Sequence, residues 1–169
     1  MNNTIVSNIT RFIILVLLQV TLFNHIDFLG YLNPYIYILF IVYFPFDKET
    51  RIPFLFFSFL IGLSIDIFSD SGGVHSAASV AIAYLRPVIM RWAFGLSYDY
   101  QTLKISKTTF GQRFNFLSLL ILTHHLILFT LEIFSFAQVV NILKKTIFSA
   151  IFTLILCLIF ISLFSRKRS

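Results

Sequence analysis

Most of the side chains in this sequence that could do chemistry lie in two short stretches. The first is Gly62-Leu-Ser-Ile-Asp66-Ile-Phe-Ser-Asp70-Ser-Gly72-Gly73-Val-His75. In it a carboxylate ends an apolar run, a Gly pair makes a turn and a His opens the next run. Asp66 stands four residues after Gly62, so the two share a helix face and a neighbouring helix can approach the carboxylate over the glycine. The natural partners of Asp66 are the His75 ring or a backbone N–H at the start of the following helix, where the dipole favours negative charge. Such a carboxylate can bracket the hairpin, hold a ligand or proton, or touch a partner. The bracket is the plainest of the three.

The second stretch is His124-His125, followed by Glu132. His125, Phe129 and Glu132 follow i, i+4, i+7 spacing and share a face, while His124 points roughly 100° away. Helical metal ligands sit at i, i+3 or i, i+4, as in H-E-x-x-H, so adjacent histidines with a distant carboxylate predict no metal. A buried hydrogen bond from His125 to a neighbouring helix is the simpler role. No nucleophile–base pair and no Gly-rich phosphate loop is legible. An intramembrane aspartyl protease needs carboxylates facing each other from different helices, and only Glu132 could partner Asp66 in that way. The residues therefore predict no enzyme, no cofactor and no metal.

The elements that must position these groups are set by composition. Hydrophobic residues make up 58% of the 169 and charged residues 12%, with 22 Phe and a mean hydropathy of +0.90. Soluble domains run about half apolar and about a quarter charged, so the fold class expected is an all-α membrane protein. Its single domain divides into six spans, at about 6–23, 32–46, 52–68, 74–94, 114–136 and 146–164. The first run ends without a small-x-small cleavage site and reads as a span rather than a signal peptide. The second, between Pro34 and Pro45, is short. The fourth opens with small residues, and Gly73, Ala77 and Ala81 recur at the spacing that lets two helices pack closely in lipid. Its strongly apolar part ends at Tyr84-Leu85-Arg86-Pro87, and Val88–Phe94 reads as a kinked extension or as chain lying along the interface. A polar segment at 95–113 follows, and Lys144-Lys145 precede the last span. Cys157 is the single cysteine and can form no disulfide within the chain.

The net charge of +6 is spread over span ends rather than gathered in one stripe, which argues for orientation in a membrane and against nucleic acid. With both termini in the cytoplasm, the inner side holds Arg11, Lys48, Arg51, Arg86, Arg91, Lys104, Lys107, Arg113 and the terminal Arg166, Lys167 and Arg168. The outer side holds only Lys144 and Lys145. That bias agrees with the positive-inside rule and places Asp66, Asp70, His75 and Glu132 towards the outer face.

The run Gly62-x-x-x-Asp66-x-Phe-Ser-x-x-x-Gly73-x-His75, the small-residue helix, Leu85-Arg86-Pro87 and His124-His125-x-x-x-Phe129-x-x-Glu132 together resemble the rod shape-determining MreD family. That resemblance implies a six-helix bundle like the substrate subunits of energy-coupling-factor transporters. It also implies a non-enzymatic, multi-pass protein of the bacterial cytoplasmic membrane. Such a protein binds the bitopic scaffold MreC and, through it, helps couple MreB filaments to the lateral peptidoglycan synthases. The lipid bilayer is a further partner, and self-association into a homodimer a further option. Carried onto this chain, Gly62, Asp66, Gly72, Gly73, His75, Arg86, His125 and Glu132 become the structural or partner-contact candidates. The alternative is a vitamin-transporter substrate subunit. Those proteins dock their energising module through small residues on the first span. Here that span reads Phe-Ile-Ile-Leu-Val-Leu-Leu-Gln-Val-Thr, and the short outer loops offer few polar groups for a pocket.

Overall fold

The computed structural model describes residues 2–26, 33–45, 50–95 and 108–165. Lys48, Lys104, Lys107 and the terminal Arg166, Lys167 and Arg168, which weigh in the orientation count, lie outside the described residues. Six α-helices follow one another: α1 (Asn2–Thr21), α2 (Ile38–Tyr43), α3 (Arg51–Ser69), α4 (Val74–Phe94), α5 (Phe110–Ile133) and α6 (Val139–Ser165). Single 3₁₀ turns at Phe23–His25 and Phe136–Gln138 adjoin α1 and α6, and no strand occurs among the described residues.

Among the described residues four stretches are long and apolar enough to cross a membrane: Ile5–His25, Arg51–Ser69, Phe110–Ile133 and Phe136–Leu163. The chain is thus an all-α protein of membrane character. Helix α4 has the length, 21 residues, but its small and polar residues together with Arg86 and Arg91 keep it out of that group. Local signals set the boundaries. Asp70 turns left-handed at φ 50° to end α3, its N–H bonding the Asp66 carbonyl. Thr109 and Gln112 form a reciprocal capping box that starts α5, so Arg113 stands in a helical first turn rather than in the polar connection. Helix α6 begins at Val139, which places Lys144 and Lys145 within it rather than ahead of the last span.

The largest departure from the sequence pattern lies in the second segment. Only Ile38–Tyr43 is helical, about 9 Å of rise, and residues 33–37 enter it as non-helical chain. The segment lies at the centre of the fold. Ile36, Tyr37, Ile38, Ile41 and Val42 have no exposure, as expected of a helix that is apolar all round. Its exposed backbone groups are met by side chains from three helices. Gln19 of α1 donates to the Pro34 carbonyl at 3.0 Å and accepts from the Ile36 N–H at 2.9 Å. Thr153 of α6 accepts from the Tyr35 N–H at 3.1 Å. At the far end Arg86 of α4 donates to the carbonyls of Val42 and Phe44 at 3.0 and 2.8 Å, and Arg11 to that of Tyr43 at 3.4 Å. The guanidinium of Arg86 also lies over the Phe54 ring, and a cation at this helix C-terminus is favoured by the dipole.

These contacts fix direction. Gln19 and Arg11 meet opposite ends of the second segment, Arg86 joins its C-terminal end to α4, and Glu132 of α5 pairs with Lys145 of α6. The six segments therefore run alternately up and down. Arg11 and Arg86 gather at one end, and Asp66, Asp70 and Glu132 at the other.

Replacing Gln19 by Leu keeps the bulk but strips partners from the Pro34 carbonyl and the Ile36 N–H. Each orphaned buried group costs about 1–3 kcal/mol, so Gln19→Leu is expected to lower the thermal unfolding midpoint in detergent sharply. A midpoint equal to that of the parent protein would show that these groups find other partners.

Candidate functional site

The hairpin of α3 and α4 is closed by one carboxylate. Asp66 is 5% exposed, and four donors reach it. The Ser71 hydroxyl donates to Oδ1 at 2.6 Å and the His75 N–H to the same oxygen at 2.9 Å. The Ser76 N–H donates to Oδ2 at 2.8 Å, and the Ser76 hydroxyl makes a further short bond to it. The two amides belong to the first turn of α4, whose N-terminal N–H groups have no partner within the helix. Asp66 therefore caps α4 from the neighbouring helix, in place of the usual cap side chain at Gly73. Of the two partners open to Asp66 in the sequence, the backbone amides hold the carboxylate and the His75 ring does not.

Gly62 makes this cap geometrically accessible. A Cβ built there would stand 2.5 Å from the Ser76 Cα and 2.6 Å from the His75 carbonyl oxygen, inside any tolerable contact. The α4 backbone thus lies directly on Gly62, one turn below the carboxylate. Gly72 and Gly73 act differently: a Cβ on either meets nothing, but both hold φ in the left-handed region, at 66° and 97°, to make the turn.

The His75 ring points into the core. Its Nδ1 lies 3.0 Å from the Tyr37 hydroxyl, which is also 2.8 Å from Nε2 of His124. His125 makes a second chain: Nδ1 donates to the Ile121 carbonyl at 2.8 Å, and Nε2 lies 3.1 Å from the Thr153 hydroxyl. With Nδ1 carrying the proton, Nε2 accepts from Thr153, whose oxygen in turn accepts the Tyr35 N–H. Both histidines are fully buried, so the neighbours' 100° offset sends them to different partners rather than one to the core and one outward. The Tyr35 ring packs against both His75 and His125, with centroids 5.3 Å apart in each case. Glu132 lies at the edge, accepting from Lys145 Nζ at 3.0 Å on the exposed side of α5 and α6.

The small residues of α4 divide between two faces. Ala78, Ser79 and Ala83 are buried within the chain, while Gly73, Ala77 and Ala81 line an outward apolar groove of about 700 Å³ with Leu55, Phe59 and Tyr84. The Gly73/Ala77/Ala81 repeat therefore does not serve packing inside the molecule. Among the described residues no group of three or more His, Cys, Asp or Glu is placed to hold a metal.

The sequence alone did not single out Gln19, Tyr37, Ser71, Ser76 or Thr153. The usable signal was polarity inside apolar runs: Gln19 interrupts Leu-Leu-Gln-Val, and Thr153 stands amid Ile-Phe-Thr-Leu-Ile. Comparisons with family models, with curated proteins and with solved structures find no match.

Two substitutions test the bracket. Gly62→Ala must push α3 and α4 apart and is expected to destabilise by about 1–3 kcal/mol, the usual cost of overpacking. Asp66→Asn keeps the shape but sets an NH₂ against amide donors. It is expected to lower the unfolding midpoint at least as much, whereas Ser64→Ala, on the same helix but away from the cap, serves as a near-neutral control. Unchanged midpoints for both variants would remove the bracket role.

Proposed function

We propose that this chain is a non-enzymatic scaffold of the bacterial cell-elongation machinery, of the rod shape-determining MreD type. In this reading it spans the cytoplasmic membrane six times, holds a bitopic MreC-like partner and helps couple MreB to lateral peptidoglycan synthesis. The observation that carries the reading is the saturated Asp66. Both carboxylate oxygens are taken by protein donors, and its helix is seated on Gly62, so the residues on which the resemblance rests hold helices together. A carboxylate engaged in this way has no free lone pair directed at a substrate, which favours a structural task over catalysis.

Six segments of alternating direction support six passes with both termini on one side. Gathering Arg11 and Arg86 at the end opposite Glu132 supports that side being the cytoplasm. The second pass is then made by the enclosed 33–45 segment, which lipid tolerates because its backbone is satisfied by protein. Helix α1 presents Ile5, Val6, Ile9, Ile13, Ile14 and Leu17 outward, bulky residues rather than the small ones by which transporter substrate subunits dock, and this favours the scaffold over that alternative.

Depletion in a rod-shaped bacterium that carries this protein is expected to round the cells, and a bitopic membrane protein is expected to co-purify with the tagged chain in mild detergent. Normal rods after depletion, with no such protein recovered, would overturn the assignment. Tags at both termini should report the same side of the membrane.

A further inference from the structure

At the acidic end of the bundle a cavity of about 800 Å³ is lined by Asn24, Asn33, Tyr35, Asp70, His75 and Glu132, together with His25. Polar groups thus gather at this end despite the short connections, and the volume lies within the roughly 300–1,000 Å³ of small-molecule sites.

The hydrogen-bond chain below the cavity fixes what its floor offers. His124 is fully buried and its Nδ1 has no hydrogen-bond partner. A buried lone pair without a donor is tolerated better than a buried N–H without an acceptor, so the His124 proton sits on Nε2. That N–H donates to Tyr37, which leaves the Tyr37 hydroxyl hydrogen for Nδ1 of His75 at 3.0 Å. A neutral His75 consequently carries its proton on Nε2. His75 is 6% exposed, lines the cavity and has its Nδ1 edge turned into the core, so the Nε2–H is at the cavity wall, where no group among the described residues accepts it. The floor is a hydrogen-bond donor waiting for an acceptor.

The rest of the wall offers acceptors. Asp70 and Glu132 are carboxylates that line it, with Lys145 engaging one oxygen of Glu132. Asn24 is already spent on Ser69, and the Asp66 carboxylate on the start of α4. Two carboxylates lining one cavity suit an ammonium group, which offers only N–H donors. A metal ion is a poorer occupant, because the described His, Asp and Glu residues are not clustered as ligands.

We propose that this cavity binds a small zwitterion, its ammonium end held by Asp70 and Glu132 and its carboxylate end accepting from His75 Nε2–H. The site stands independently of the scaffold assignment, since its occupancy is read on the purified chain without any partner.

The test uses three probes of similar length: 6-aminohexanoate, cadaverine (two ammonium ends) and adipate (two carboxylates). Thermal unfolding of the full chain in detergent is followed with each at millimolar concentration. 6-Aminohexanoate is expected to raise the midpoint most, cadaverine less and adipate not at all. In the Asp70→Asn/Glu132→Gln double variant the affinity for 6-aminohexanoate should fall about tenfold or more. That variant folds, because Asn accepts the left-handed φ of 50° at position 70 and position 132 is exposed. No shift with any probe, an adipate shift equal to that of 6-aminohexanoate, or a shift that survives in the double variant would each overturn the proposal.

Discussion

A peptide group cannot be left without a partner in an apolar medium, and the architecture of this chain follows from how it meets that demand at residues 34–45. A complete helix would have satisfied the segment internally. Here only six residues, Ile38–Tyr43, are helical, and the chain entering them offers bare N–H and C=O groups to its surroundings. Gln19, Thr153, Arg86 and Arg11 supply the missing partners from three different helices. Each of these side chains is polar in a place where lipid would penalise it, so each is confined to face inward. The irregular segment thus dictates how α1, α4 and α6 are rotated.

The Asp66 cap applies the same logic at a helix terminus. Helix α4 starts at a glycine that has no side chain to cap it, and the carboxylate one turn from the end of α3 supplies the bonds instead. Because the cap comes from another helix, it joins secondary to tertiary structure: α4 cannot begin at Val74 unless α3 is in place. Gly62 sets the distance, and the turn glycines set the direction. This rigid hairpin holds the His75 ring against Tyr37 and so leads to the buried His124.

The α3–α4 hairpin was the most legible part of the sequence, since carboxylate, glycines and helix start lie within fourteen residues and obey a local spacing rule. The second segment was least legible. Its apolar run has the composition of a span, and nothing local reveals that its helix stops at six residues, because the bonds that permit this come from positions 11, 19, 86 and 153. Arg86 illustrates the difficulty: its charge read as a topological marker, and nothing local shows that its guanidinium also bonds the carbonyls of Val42 and Phe44. Lys144 and Lys145 read as preceding the last span but lie within α6, where Lys145 reaches Glu132. His124 and His125, adjacent in sequence, have separate partners that only the three-dimensional arrangement could assign.

The bond from the Tyr35 amide to Thr153 closes over 118 residues. During synthesis the ribosome has made most of the protein before that amide can meet its final acceptor. The early strand of the nascent chain must therefore wait, provisionally hydrated or held at the edge of the insertion machinery, until the closing helix arrives. Maturation of this molecule is consequently gated at its C-terminal end, and a product truncated before α6 retains an unfinished centre however well its first helices insert.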